Sequence, residues 1–449
     1  LPGIHGCNEI TTNEARATLM ARWTPMGTPG FDRHLLANLG SLYGLQVARY
    51  LIPLITIPFL ARVLGADGWG EVAFLTAYGQ FFIILIDFGF HISGTREIAR
   101  LDARSEHRAE VVAGVWAAKL LLVLLAAVCA ALARQLSAKL AIDDWLYWSA
   151  VAAAVIEALD PLWYFQGRQK LAAYVAVNLA ARFGGLLLMF AVIREPGDAW
   201  LYFLFRGASW GLVVAIGIAM MYRHLPPVMP TIGRARQAFA MGWSIFQVHA
   251  AGAALDTAIP FALGFVAPAS VVGYLVGADR IARAFYWLLD PIRQAMFPRI
   301  SALVQSSLKR AAQAVRRILL LFAGVSIVSG LAILLLAPFL VRLLLGGGYD
   351  AAVPTLRLLS IFPLLVALNN VIGVQWMLPL GLERPFAAIN ITAGSLRLIL
   401  CLCLAPFFAQ NGAAVAILAA ESTTLVLQML YLRRRRMSPL ELAAMPDPP

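Results

Sequence analysis

Five arginines sit where arginine is expensive. Arg49, Arg182, Arg280, Arg283 and Arg397 each fall deep inside a long apolar run, and at ~1.5 Å of helical rise per residue they stand near the middle of a bilayer. Arginine keeps its charge when desolvated and presents a planar fork of donors that fits the oxygens of a phosphate or a carboxylate. Ionisable groups inside membrane spans turn towards a partner or a wet cavity and mark pathways. Arg280 and Arg283, three residues apart, share one helix face and can act on one anion. Arg49 and Arg397 have to reach them from other helices. Arg206 also lies in a span, while Lys119 and Arg293 stand close enough to span ends to snorkel. Asp87, Glu157, Asp160, Asp256, Asp279, Asp290 and Glu421 are available to pair with these cations, and the Asp279–Arg283 spacing of four suits mutual neutralisation. Two readings therefore stand: ion pairs that hold helices together, or a cationic cavity for an anion.

The elements that carry these charges are read from the composition. The chain has 449 residues, 61% of them hydrophobic and 13% charged, with a mean hydropathy of +0.76. Soluble domains are nearer half apolar and a quarter charged, so this is an all-α polytopic membrane protein. Twelve apolar windows are long enough to span, at 37–60, 71–93, 111–133, 145–165, 171–193, 199–222, 241–265, 269–298, 316–345, 353–380, 386–408 and 411–432. Of the 36 lysines and arginines, 22 fall on the side that also holds both termini and six on the other. Basic loops are retained in the cytoplasm, so both termini are expected there. The net charge of +12 is spread between apolar runs, which suits cytoplasmic loops and argues against nucleic-acid binding. Cys7, Cys129, Cys401 and Cys403 form no CxxC pair and the six histidines no HExxH motif, so no metal site, cofactor or catalytic group is expected. The short external loops leave no room for an extramembrane catalytic domain.

Pro226, Pro227, Pro230 and Gly233 form the best breaker cluster and divide the chain six helices from six. The expected organisation is a disordered cytoplasmic extension over 1–34, a first lobe over 35–222, a linker over 223–240, a second lobe over 241–432 and a basic cytoplasmic tail over 433–449. Within the extension, Met20 or Met26 is an alternative start. Gly70, Asp87 and Arg96 recur at an offset of 203 as Gly273, Asp290 and Arg299, the trace of two related halves. Pro53, Pro58 and Pro260 sit at comparable places in the two halves and mark candidate hinges.

Several stretches then carry a resemblance. Residues 85–100 read LIDFGFHISGTREIAR, an acid just inside a span followed by a glycine turn and a basic anchor. Residues 60–70 read LARVLGADGWG and residues 160–170 read DPLWYFQGRQK. Residues 272–301 carry a Gly-Tyr…Pro…Phe-Pro-Arg pattern, and the turns Gly347-Gly348-Tyr349 and Asn411-Gly412-Ala413 follow. In this order, over roughly residues 35–432, the set resembles the polysaccharide flippases of O-antigen (Wzx) type, in the multidrug/oligosaccharidyl-lipid/polysaccharide exporter superfamily.

That resemblance implies twelve helices in two bundles around a central cavity. It implies a monomeric flippase that moves an undecaprenyl-diphosphate-linked oligosaccharide from the cytoplasmic to the periplasmic leaflet of the inner membrane by alternating access, with ion coupling. On this reading Arg49, Arg182, Arg280, Arg283 and Arg397 contact the diphosphate or an acidic sugar, and Asp87 and Asp256 hold a proton or cation. Tyr78, Gln80, Trp243, Gln247, Tyr274, Asn369, Asn370 and Gln375 are candidate sugar contacts. Membrane lipids, a polysaccharide polymerase and glycosyltransferases are the expected partners. The alternative is a multidrug or lipid II exporter of the same superfamily.

Overall fold

The computed structural model describes residues 33–101, 106–223, 225–287 and 289–444, so the expected N-terminal extension lies almost wholly outside the described residues. Every regular element among them is helical. Hydrocarbon offers no water to a backbone N–H or C=O, so a chain this apolar satisfies those groups within its own helices. Seven of the described helical segments are long and apolar enough to cross a membrane. The chain is a multi-pass membrane protein.

The first half comprises α1 (Arg33–Asp87), α2 (Phe90–Arg100), α3 (Glu106–Leu136), α4 (Asp144–Ala158), α5 (Leu162–Gly167), α6 (Ala172–Val192) and α7 (Ala199–Tyr222). The second comprises α8 (Ile232–Val266), α9 (Ala269–Trp287), α10 (Asp290–Ser306), α11 (Leu308–Leu344), α12 (Ala352–Leu358), α13 (Phe362–Ile372), a π turn over Gly373–Met377, α14 (Glu383–Arg434) and α15 (Pro439–Ala444). Two expected pairs of spans are continuous kinked elements. The arms of α1 meet at Gly65, where φ is 69°, a conformation glycine adopts without a steric penalty. The arms of α14 meet at Ala409. The span expected over 269–298 is divided between α9 and α10. Much of the expected linker is helix, because α8 begins at Ile232, capped by the Thr231 side chain.

The two halves approach most closely where α1 crosses α9. A methyl group added at Gly70 would lie 1.7 Å from the Ala269 carbonyl oxygen, and one at Gly273 would lie 2.4 Å from that of Ala66. The repeat offset of 203 relates Gly70 to Gly273 and also Ala66 to Ala269, so each helix rests its small residues on the other's backbone. Small residues are what allow membrane helices to touch in this way. Asp67 accepts a hydrogen bond from the Ser270 N–H at 3.1 Å, and the Tyr349 hydroxyl donates to the Gly65 carbonyl at 3.0 Å. Arg62 donates to the Leu343 carbonyl. At the other end of α1 the halves meet through aromatic rings. Phe88 stacks on Phe246 with centroids 4.4 Å apart and meets Phe239 edge-on at 5.1 Å.

The residues after α14 fold back. Trp376 Nε1 donates to the Met437 carbonyl at 2.8 Å, Ser438 is buried, and α15 lies on α11. Overpacking a tight contact costs about 1–3 kcal/mol. Gly70→Ala is therefore expected to lower the thermal unfolding midpoint in detergent. Gly184→Ala, whose methyl meets no atom within 4 Å, is expected to leave it unchanged or raise it slightly. Equal midpoints for the two variants would refute the crossing as a source of stability.

Candidate functional site

Between the halves lies a cavity of about 690 Å³, walled by α1, α6, α7, α8, α9 and α14. Helix α9 shows how the sequence builds such a wall. Val272, Gly273, Gly277, Ala278, Ile281 and Ala282 are buried against its neighbours. Asp279, Arg280, Arg283 and Trp287 fall at helical spacing on another face and line the cavity. Opposite, α7 buries Phe203, Gly207, Val213, Val214 and Gly217 and turns Tyr202, Phe205, Arg206, Ser209 and Trp210 inward.

Of the five arginines singled out from the sequence, Arg182, Arg280, Arg283 and Arg397 line this one cavity. The side chain of Arg49 lies outside the described residues, as does that of Asp256. Asp87 is elsewhere: it bonds to His91 one turn further along and does not line the cavity. Arg206 does line it. Its position within an apolar run is visible in the sequence, but the face it occupies is set by how α7 packs on α4.

The cavity arginines differ in how they are held. Arg206 donates through Nε and Nη2 to one oxygen of Glu157, at 3.0 and 2.6 Å. Arg283 bonds Asp279 at 2.6 Å, as their spacing allows, and its guanidinium lies 4.7 Å from the Phe362 ring centroid. Arg397 is buried and donates to the Leu255 carbonyl at 2.6 Å. The Arg182 guanidinium stands 5.4 Å from the Trp210 ring centroid, a cation–π arrangement. Arg280 is open to the cavity and forms no hydrogen bond or ion pair among the described residues. Chemically the cavity is a cationic chamber with apolar and aromatic walls, in which Arg280 offers a complete donor fork.

Lys119 corrects an expectation. It does not snorkel; it is fully buried and donates to the Ala158 carbonyl at 2.6 Å, within electrostatic reach of Asp87 and Asp160. Arg293 pairs with Asp290 at 2.9 Å. Four of the eight candidate sugar contacts are committed elsewhere too. The Tyr78 hydroxyl shares a hydrogen bond with Tyr147, Tyr274 packs edge-on against Tyr349, Asn369 donates to Glu421, and Gln375 donates to the Arg293 carbonyl. Gln80 is the member of that group that lines the cavity.

The sequence pattern of the family described as polysaccharide biosynthesis protein matches residues 35–304, more than half of the chain. The chain belongs to this polysaccharide biosynthesis family. It is 28% identical over 405 residues to a protein named "Putative O-antigen transporter" from Escherichia coli (strain K12), covering 90% of this chain and 98% of that one. A protein of the same name from Shigella dysenteriae is 27% identical over 401 residues, covering 88% and 98%. The fold is similar to that of the lipid II flippase MurJ in an inward closed conformation, with a TM-score of 0.67, 10% identity and coverage of 91% and 90%. It is also similar to an inward-facing multidrug resistance MATE family transporter of the MOP superfamily, with a TM-score of 0.60, 13% identity and coverage of 88% and 100%. These relatives and neighbours are transporters, and the family member described here shares their architecture.

Glu157 and Arg206 lie in contact across α4 and α7, and contacting charged residues couple by about 0.5–3 kcal/mol. Glu157→Gln alone leaves a cavity-facing guanidinium without its carboxylate and is expected to lower thermal stability. Adding Arg206→Gln is expected to recover part of the loss, as read by a double-mutant cycle of unfolding midpoints. Additive losses would show that the pair is uncoupled.

Proposed function

We propose that this cavity is the transport site of a lipid-linked-oligosaccharide flippase. It carries an undecaprenyl-diphosphate-linked oligosaccharide unit from the cytoplasmic to the periplasmic leaflet of the inner membrane, for surface polysaccharide assembly. One observation carries the reading: four of the arginines that the sequence places deep in apolar spans, together with Arg206, open into one chamber between the two halves. The head of such a lipid must leave water to cross, and unpaired phosphates in hydrocarbon are prohibitive. A cationic chamber offsets that cost, and Arg280 supplies a fork matched to phosphate oxygens. The near full-length similarity to proteins named as O-antigen transporters supports the same substrate class.

The rest of the scheme follows from this reading. Twelve spans with both termini cytoplasmic agree with the lysine and arginine bias. The lobes over 35–222 and 241–432 rock about the helix crossings. Asp87, paired with His91 beside the buried Lys119, and Asp256 are the proposed coupling sites for a proton or cation. A polymerase would receive the product and glycosyltransferases would supply the substrate. A multidrug exporter for cationic compounds fits less well, because the chamber would repel them. A peptidoglycan-precursor flippase shares the diphosphate chemistry and is separated from this reading by substrate analysis.

In a strain lacking the gene, mass spectrometry with leaflet-side labelling is expected to find a polyprenyl-diphosphate glycan held on the cytoplasmic side and surface polymer lost. Complementation with Arg280→Ala is expected to restore protein level and topology but less than about a tenth of the polymer, since losing a charge-assisted bidentate contact costs more than about 1.4 kcal/mol. Arg280→Lys is expected to recover export in part. Normal delivery of the glycan lipid to the periplasm, or full export by Arg280→Ala, would overturn the proposal.

A further inference from the structure

Two of the helices that wall the cavity are chemically unlike. The α9 wall presents Arg280 open to the chamber beside the Arg283–Asp279 pair. The α7 wall alternates ring faces with fixed polar groups. Tyr202, Arg206 and Trp210 recur at helical spacing along it, Ser209 lies beside them, and Gln80 adds an amide from α1. Its cations are engaged: Arg206 is held by Glu157 and also interacts with the Tyr202 hydroxyl, and Arg182 stands over Trp210. A sugar ring has an apolar C–H face and a rim of hydroxyls. It therefore suits a surface that offers an aromatic face flanked by donors and acceptors that do not move. A diphosphate needs an open cation and gains little from such a surface.

We propose that the α7 face is the glycan subsite, with Trp210 as the ring on which a sugar stacks, and that it determines which oligosaccharide is carried. This rests on the flippase reading and divides its cavity into two subsites. Tyr202 and Arg280 line the same cavity within electrostatic reach of each other, so a diphosphate seated on α9 delivers its first sugar to the Tyr202 end of the α7 face. From Tyr202 to Trp210 that face is ~12 Å long. It is long enough to seat a short oligosaccharide. Close packing of α6 on α7 at the wall itself holds Ser209 in place. A methyl group at Gly185 would lie 1.9 Å from Ser209 Oγ, and the Ser209 hydroxyl donates to the Phe205 carbonyl at 2.7 Å.

The test compares two probes on purified protein: undecaprenyl diphosphate with no sugar, and the same lipid carrying the strain's own oligosaccharide. Wild type is expected to bind the glycan lipid about tenfold more tightly. Trp210→Ala is expected to lower that preference by a factor of about 2–10, the range for an aromatic stacking contact. Its binding of the bare lipid should stay within about twofold, which also reports that the variant is folded. Trp210→Phe, which keeps a ring, is expected to retain part of the preference. Arg280→Ala is expected to lose both lipids together. Equal wild-type binding of the two probes overturns the glycan subsite. So does a preference that Trp210→Ala leaves unchanged, or a loss of bare-lipid binding as large as that of glycan lipid. If Arg280→Ala binds bare lipid as wild type does, or wild type binds neither probe, the diphosphate reading itself falls and the subsite with it.

Discussion

A guanidinium cannot face hydrocarbon. That constraint organises the helices that carry one: the charge must turn inward, and the opposite face must then be smooth enough to pack. Helix α9 meets both demands with small residues on one side and Asp279, Arg280 and Arg283 on another. Helix α7 does the same with glycine and valine behind and Arg206 in front. The cavity is the space that remains when several such helices turn their costly faces towards each other.

The glycine crossing shows why the halves are joined so closely at one end and spaced apart in the middle. At Gly70 and Gly273 the backbones of α1 and α9 touch, with no side chain between them. A few turns further along α9, side chains as long as arginine need room, and the helices bound a chamber. Because the contact is reciprocal under the repeat offset of 203, both halves contribute the same small residues to it. The Phe88 stack on Phe246 plays the corresponding part at the other end of α1 with bulk instead of close approach.

The charged groups divide by depth and partner. Those on the cavity wall are held yet accessible, as Arg206 and Arg283 are by their carboxylates. Lys119 is the opposite case, sealed among helices and satisfied by a carbonyl. Burying an amine this completely carries a desolvation cost, whereas charge open to a wet chamber remains available to a ligand. This difference separates a structural cation from one that can bind.

How much of this was legible in the sequence follows from the kind of information each feature needs. Apolar run length and the spread of charge sufficed for a helical, multi-pass protein, because hydrocarbon tolerates few alternatives. The depth of Arg182, Arg280, Arg283 and Arg397 was readable from position along a span. Facing was not. Arg206 and the cavity aromatics Tyr202, Trp210 and Trp287 depend on which side of a helix its neighbours cover, and several of the aromatics and amides favoured from sequence proved committed to other partners. Lys119, close to a span end, had the reach to snorkel, and only the packing of α3 against the rest of the bundle decided that it would not. Sequence determined what each helix must hide. Tertiary structure decided from whom, since the azimuth of a helix is set by packing against residues far away in the chain.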